Sequence, residues 1–240
     1  MDIRLALMTG TPIPVPSCQL TINQPTIKEI GMIGEKEFFT GAQCLCIEKS
    51  MYIQDENVLS STSNFQIFMT IMSERQEVEK KNNVLAVLKL LFPNYKVIFT
   101  PRAVLLKCNE ENIMIDENNF EDLQEVFQQI FCLSAAGQQA FNPANDAAKK
   151  IADKLMRARQ RVAAQKQSEG GDGSVFAQYL SVLSVGLHFP LQQVAELTMY
   201  QMYDLMERYS LYTNWDLDIR SRLAGGKPDS KPDNWMKIIH

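Results

Sequence analysis

The stretch Met199–Leu223, "MYQMYDLMERYSLYTNWDLDIRSRL", constrains the fold more than any other part of the chain. Met199, Met202, Met206 and Tyr209 recur at three- and four-residue spacing, which is one stripe of a helix. Tyr203, Leu205, Tyr212, Trp215, Ile219 and Leu223 widen the stripe well past the ~100° of an ordinary surface helix. A helix apolar over so much of its circumference needs cover on two sides. The 66 residues from 175 to 240 hold little else to supply it. The helix is therefore expected to fill a small helical core, to offer an adaptable Met- and Tyr-rich face to a partner, or to do both.

The chain ahead of this helix reads as an α+β unit over residues 1–135. Residues 3–8 ("IRLALM") and 17–22 ("SCQLTI") read as strands, separated by the proline-rich turn "TGTPIPVP". Thr26 and Glu29 have capping-box spacing, so a helix is expected after Thr26, with a break near Gly34. Beyond the break, Phe38, Phe39, Ala42 and Leu45 are expected to face inward. Helices are expected over 63–72 and 77–92, the second with Val84, Val87, Leu88 and Leu91 on one face. Strands over 96–100, 103–108 and 112–116 follow, then a helix over 119–132.

Composition changes after residue 135. A basic amphipathic helix is expected over 144–167, carrying seven Lys and Arg against two Asp between 145 and 166. Its net +5, in a chain whose total is −4, leaves −9 on the rest. Its apolar stripe is narrow: Ile151, Leu155, Ala158 and Val162. Lys149, Lys150, Lys154, Arg157 and Arg161 are the candidate docking residues, for an acidic protein surface or for phosphate. No aromatic residue is interleaved for base stacking, which disfavours nucleic acid. Residues 168–174 read as a flexible linker where protease should cut first. A helical C-terminal unit spans 175–240, with helices over 175–186 and 191–197 parted at "HFP" and a last turn at "DNWMKIIH".

The search for catalytic chemistry finds little. The chain has two histidines, His188 and His240, and five scattered cysteines, which read as reduced thiols. No phosphate-cradling or nucleophile-elbow motif is present. Asp216 and Asp218 read as a solvated face rather than as ligands of a divalent ion. No enzyme activity, cofactor or metal is expected. No apolar run approaches the ~20 residues of a membrane helix, and Asp2 argues against a signal peptide.

The C-terminal run "LTMYQMYDLMERY … WDLDIRSRLAGGK … DNWMKIIH" resembles the end of tail assembly chaperone-like proteins of long-tailed bacteriophages. The matching residues are Tyr200, Tyr203, Trp215, Ile219, Leu223, Ala224, Gly225 and Trp235. "QPTIKEIGMIGEKEFFTG" (24–41) is similar to the start of such proteins. The resemblance implies a non-enzymatic chaperone in the host cytoplasm that binds tape-measure and tail-tube proteins during virion morphogenesis. A permanent virion connector protein and a nucleic-acid-binding regulator using the basic helix are the alternatives. The residues assigned to partner binding are Tyr200, Tyr203, Met206, Tyr212, Trp215, Ile219, Leu223 and Trp235, and self-association is left open.

Overall fold

A computed structural model describes residues 2–74, 76–108, 111–133, 173–226 and 234–236. The fold is α+β, with two small antiparallel sheets among many helices. The basic segment, including Lys149, Lys150, Lys154, Arg157 and Arg161, lies outside the described residues, as do linker residues 168–172 and most of the last turn.

The first element corrects the sequence reading. Ile3–Thr9 is a helix, α1, not a strand. The Asp2 carboxylate accepts from the Arg4 and Leu5 amides at 3.0 and 3.3 Å, and Gly10 closes the other end at φ 67°. An N-cap and a left-handed C-cap bracket seven residues, and those end signals outweigh the short apolar alternation. The next strand is shorter than expected. Pro16–Cys18 form a 3-10 turn, and only Leu20–Ile22 (β2) pair, with Ile13–Val15 (β1) from the proline-rich stretch.

Thr26 and Glu29 cap α2 (Ile27–Ile33) reciprocally, and the helix ends at Gly34, whose φ of 107° suits glycine. Helix α3 (Glu35–Leu45) buries Phe38, Ala42 and Leu45, while Phe39 packs at the edge of the core. Helix α4 (Glu56–Ser61) was not anticipated. It is short, polar and without a buried residue, so no apolar period announces it. Helices α5 (Asn64–Ser73) and α6 (Val78–Leu91) lie where the periodicity puts them, and Val84, Val87, Leu88 and Leu91 are buried. The meander β3 (Lys96–Phe99), β4 (Val104–Cys108) and β5 (Glu111–Ile115) leads into α7 (Phe120–Ile130).

Phe38, Phe68, Phe92, Phe120, Phe127 and Phe131 fill the centre of this region. Phe38 and Phe131 meet edge to face at 5.5 Å, and Phe68 stacks on Phe120 at 5.1 Å. One buried polar group is held firmly: the Gln124 amide donates to the Leu45 and Ile47 carbonyls and accepts from Asn64.

The chain resumes with α8 (Val175–Leu187), α9 (Leu191–Ala195) and α10 (Met199–Leu223). His188, at φ 56°, and Pro190 part the first two, as the "HFP" break predicts. These helices join the same core: Phe176, Leu183, Val194, Met199 and Met202 are buried in one cluster with Leu7, Ile30 and Phe38. Glu35 seals the junction. Its carboxylate accepts from the Ser174 hydroxyl and from the Val175 and Phe176 amides, so a side chain of α3 caps α8. The Ile27 amide donates to the Leu197 carbonyl at 2.9 Å, and Thr26 bridges to Thr198.

Candidate functional site

Helix α10 runs 25 residues, about 37 Å at 1.5 Å per residue. Both ends are written into the sequence. Thr198 and Gln201 form a capping box at its start. At its end, the Gly226 amide reaches the Ser221 carbonyl and the Gly225 amide reaches the Arg222 carbonyl. That is a Schellman pair, with Gly225 left-handed at φ 91°.

The helix divides into two halves. The first is embedded. Met199, Met202 and Asp204 are buried, and Tyr200, Tyr203, Leu205 and Met206 pack against the core. The cover that the C-terminal unit lacks comes from the distant N-terminal region. Helix α1 lies against α10: the Arg4 guanidinium faces the Tyr200 phenol, and Gln201 donates to the Met8 carbonyl at 2.8 Å. Tyr203 meets Tyr179 of α8 edge to face at 5.8 Å. Burial, with Tyr179 beside it, pushes the Tyr203 phenol up to about 12. Three of the residues assigned to partner binding, Tyr200, Tyr203 and Met206, therefore sit in intramolecular packing.

The second half extends past the core. Gly186 of α8 lets the Tyr209 ring in so closely that a Cβ there would lie 2.5 Å from it. Beyond Tyr209 the helix carries a separate aromatic cluster. The Tyr212 ring lies 6.1 Å from Trp215 and 5.4 Å from Trp235, and the two indoles are 6.4 Å apart. Trp235, from the C-terminal segment, lies against the helix. Arg208 donates to its carbonyl at 2.6 Å. Tyr212 is 45% exposed, Leu217 59% and Leu223 82%, while Trp215, Ile219 and Trp235 are half-buried. The partner-binding set thus separates into an embedded group and an outer group of Tyr212, Trp215, Ile219, Leu223 and Trp235.

The carboxylates of this half are committed to neighbours. Asp216 pairs with Arg220 at 2.8 Å and Asp218 with Arg222 at 3.0 Å, each one helical turn apart. Among the described residues no cluster of His, Cys, Asp or Glu has the makings of a metal site. Burial pushes the thiols of Cys18, Cys44 and Cys46 up, the direction that suppresses thiolate chemistry.

Two features of the site were missed in the sequence. The capping box is legible as Thr-x-x-Gln in "TMYQ". The buried Asp204 leaves no such signal, because burial on α10 depends on helices packed from elsewhere in the chain, α1, α7 and α8.

Residues 166–240 match the family model of the YomV second domain. That family is phage-derived, and the match supports a phage protein. The matched region holds α8, α9, α10 and Trp235, and so the whole aromatic cluster. No curated protein and no solved structure matches the chain. No helix among the described residues is long and apolar enough to cross a membrane.

Proposed function

We propose that this protein is a non-enzymatic assembly chaperone of a phage tail, which holds tape-measure or tail-tube proteins on the outer half of α10. The observation that carries this reading is the aromatic cluster of Tyr212, Trp215 and Trp235 beyond the packed core, with the exposed Leu223 three turns on along the same face as Tyr212. Tyr and Trp are the side chains that most often anchor protein interfaces, and apolar area of this kind marks an interaction surface. The phage-derived family of residues 166–240 and the resemblance of this same stretch to tail assembly chaperones support it.

Co-purification from cells expressing the phage tail genes tests the proposal. Tyr212→Ala and Trp215→Ala should keep the melting behaviour of the fold while recovery of the tape-measure or tube protein falls. An anchor aromatic is typically worth ~2 kcal/mol, roughly thirtyfold in affinity. Retention of both partners by folded variants sinks the assignment. Finding the protein in purified virions would replace the chaperone with a permanent structural component.

A further inference from the structure

We infer that Trp235 is an internal ligand of the outer α10 surface, and that the C-terminal segment of the same chain occupies the place where a partner segment docks. This rests on the reading of that surface as a docking site. Three observations carry it. First, the contact has the form of peptide recognition. The indole of Trp235 packs edge-on against Tyr212 and beside Trp215, and Arg208 takes the main-chain carbonyl of the same residue. A side-chain contact and a backbone hydrogen bond are thus used together. Second, the rest of the segment does not explain the contact. Residues 227–233, "KPDSKPD", contain no apolar side chain apart from proline, so the attachment depends on the residues around Trp235. Third, the connection is long enough for the chain to bind itself. From Gly226 back to the level of Trp215 is about 17 Å along the helix at 1.5 Å per residue. Eight residues of extended chain span up to about 27 Å. The Schellman turn at Gly225 and Gly226 ends the helix ahead of this connection.

The partner class follows from the occupant. The described residues of the segment are Asn234, Trp235 and Met236, one aromatic anchor between an amide and an exposed apolar side chain. The surface fits a short protein segment of that composition, whose aromatic ring packs against both Tyr212 and Trp215 and whose carbonyl meets Arg208. While the C-terminal segment is seated, a competitor meets only the fraction of molecules in which it has left. The apparent affinity falls by that fraction.

The test uses the full chain and a labelled peptide of residues 233–240. Fluorescence anisotropy should show the peptide binding Trp235→Ala at least about tenfold more tightly than wild type. Tyr212→Ala in the Trp235→Ala background should abolish binding, as should replacing the tryptophan of the peptide by alanine. Equal binding to wild type and Trp235→Ala overturns the inference, and so does no binding to a Trp235→Ala protein of unchanged melting temperature. The chain has only two tryptophans, so Trp215→Phe makes Trp235 the sole reporter without removing it. Its emission should be blue-shifted and shielded from acrylamide, and quenching like that of a free tryptophan amide overturns the inference whatever happens to the alanine variant. A wild-type dimer dissolved by Trp235→Ala would put the segment on a second copy and overturn the same-chain assignment. If the peptide binds as expected while no tail protein co-purifies, the internal ligand stands and the tail-protein reading fails.

Discussion

Tyr203 shows how one side chain records the packing around it. Its phenol ordinarily titrates near 10, and burial beside Tyr179 raises it to about 12. The folded state therefore holds this proton more tightly than the unfolded chain. The contribution to stability is complete below pH 10 and is lost as pH rises from 10 through about 12. Tyr203→Phe removes the titration and keeps the ring. Melting temperatures taken from pH 9 to 12 should fall less steeply for the variant than for wild type. Parallel curves would mean that the hydroxyl is not desolvated in the fold. Gly225 makes a second point at this scale. At φ 91° it closes the α10 terminus, and the next residue supplies the other half of the Schellman pair. Gly225→Ala should cost about 1 kcal/mol, read as a shift in the denaturant midpoint, because the alanine Cβ resists the left-handed backbone. The same change loosens the helix end from which the Trp235 segment departs, so it should also raise the peptide binding described above. A midpoint identical to wild type would show that the turn is not required.

Helix α10 is two elements in one continuous backbone, and truncations should separate them. Met202 is fully buried in the embedded half, so Met202→Ala should cost ~2–5 kcal/mol of stability. Leu217 and Leu223 of the outer half are exposed, and their alanine variants should change stability by no more than ~0.5 kcal/mol. Equal losses in chemical denaturation for Met202→Ala and Leu223→Ala would show that the division is wrong. The sequence discloses the helix and its apolar girth through spacing, because a period near 3.6 is a local property. It does not disclose where the helix leaves the core, since that depends on α1 and α7, which are distant in the chain. The same limit explains the reading of Tyr200, Tyr203 and Met206 as partner residues. Their aromatic and sulfur chemistry suits an interface and a core alike, and their packing against the core depends on neighbours from α1 and α8 that spacing along α10 does not reveal. Residues 3–8 failed for another reason: a seven-residue helix is too short for its period to stand out, and Asp2 and Gly10, which do specify it, lie just outside the apolar run. The α2 start and the Gly34 break were legible because their signals are single residues with fixed geometric roles.

At the scale of the whole molecule, the region matching a second-domain family is not packed as a free-standing unit. Its buried side chains, Phe176, Leu183, Val194, Met199 and Met202, belong to the cluster that holds Leu7, Ile30 and Phe38. Phe176 lies 5.4 Å from Phe39, and Glu35 of α3 caps α8. The exposed Lys28–Glu196 ion pair at 2.7 Å crosses the same junction, but a pair so open to water contributes little beside the apolar contacts. Full burial of one large apolar side chain is worth about 1.5–3 kcal/mol, so losing cover from several of them exceeds what so small a helical unit can spare. Residues 166–240 expressed alone should therefore bind a hydrophobic dye strongly and melt without a sharp transition. Residues 1–135 supplied from a second gene should restore a cooperative transition and suppress the dye signal. The full chain should unfold in a single calorimetric step across both regions. A sharp, dye-silent transition from 166–240 alone, at the temperature of the full chain, would mean that the junction joins two self-sufficient domains. The embedded half of α10 would then be stabilised by its own small unit, and contacts such as those of Arg4, Glu35 and Phe39 would orient that unit rather than complete its core.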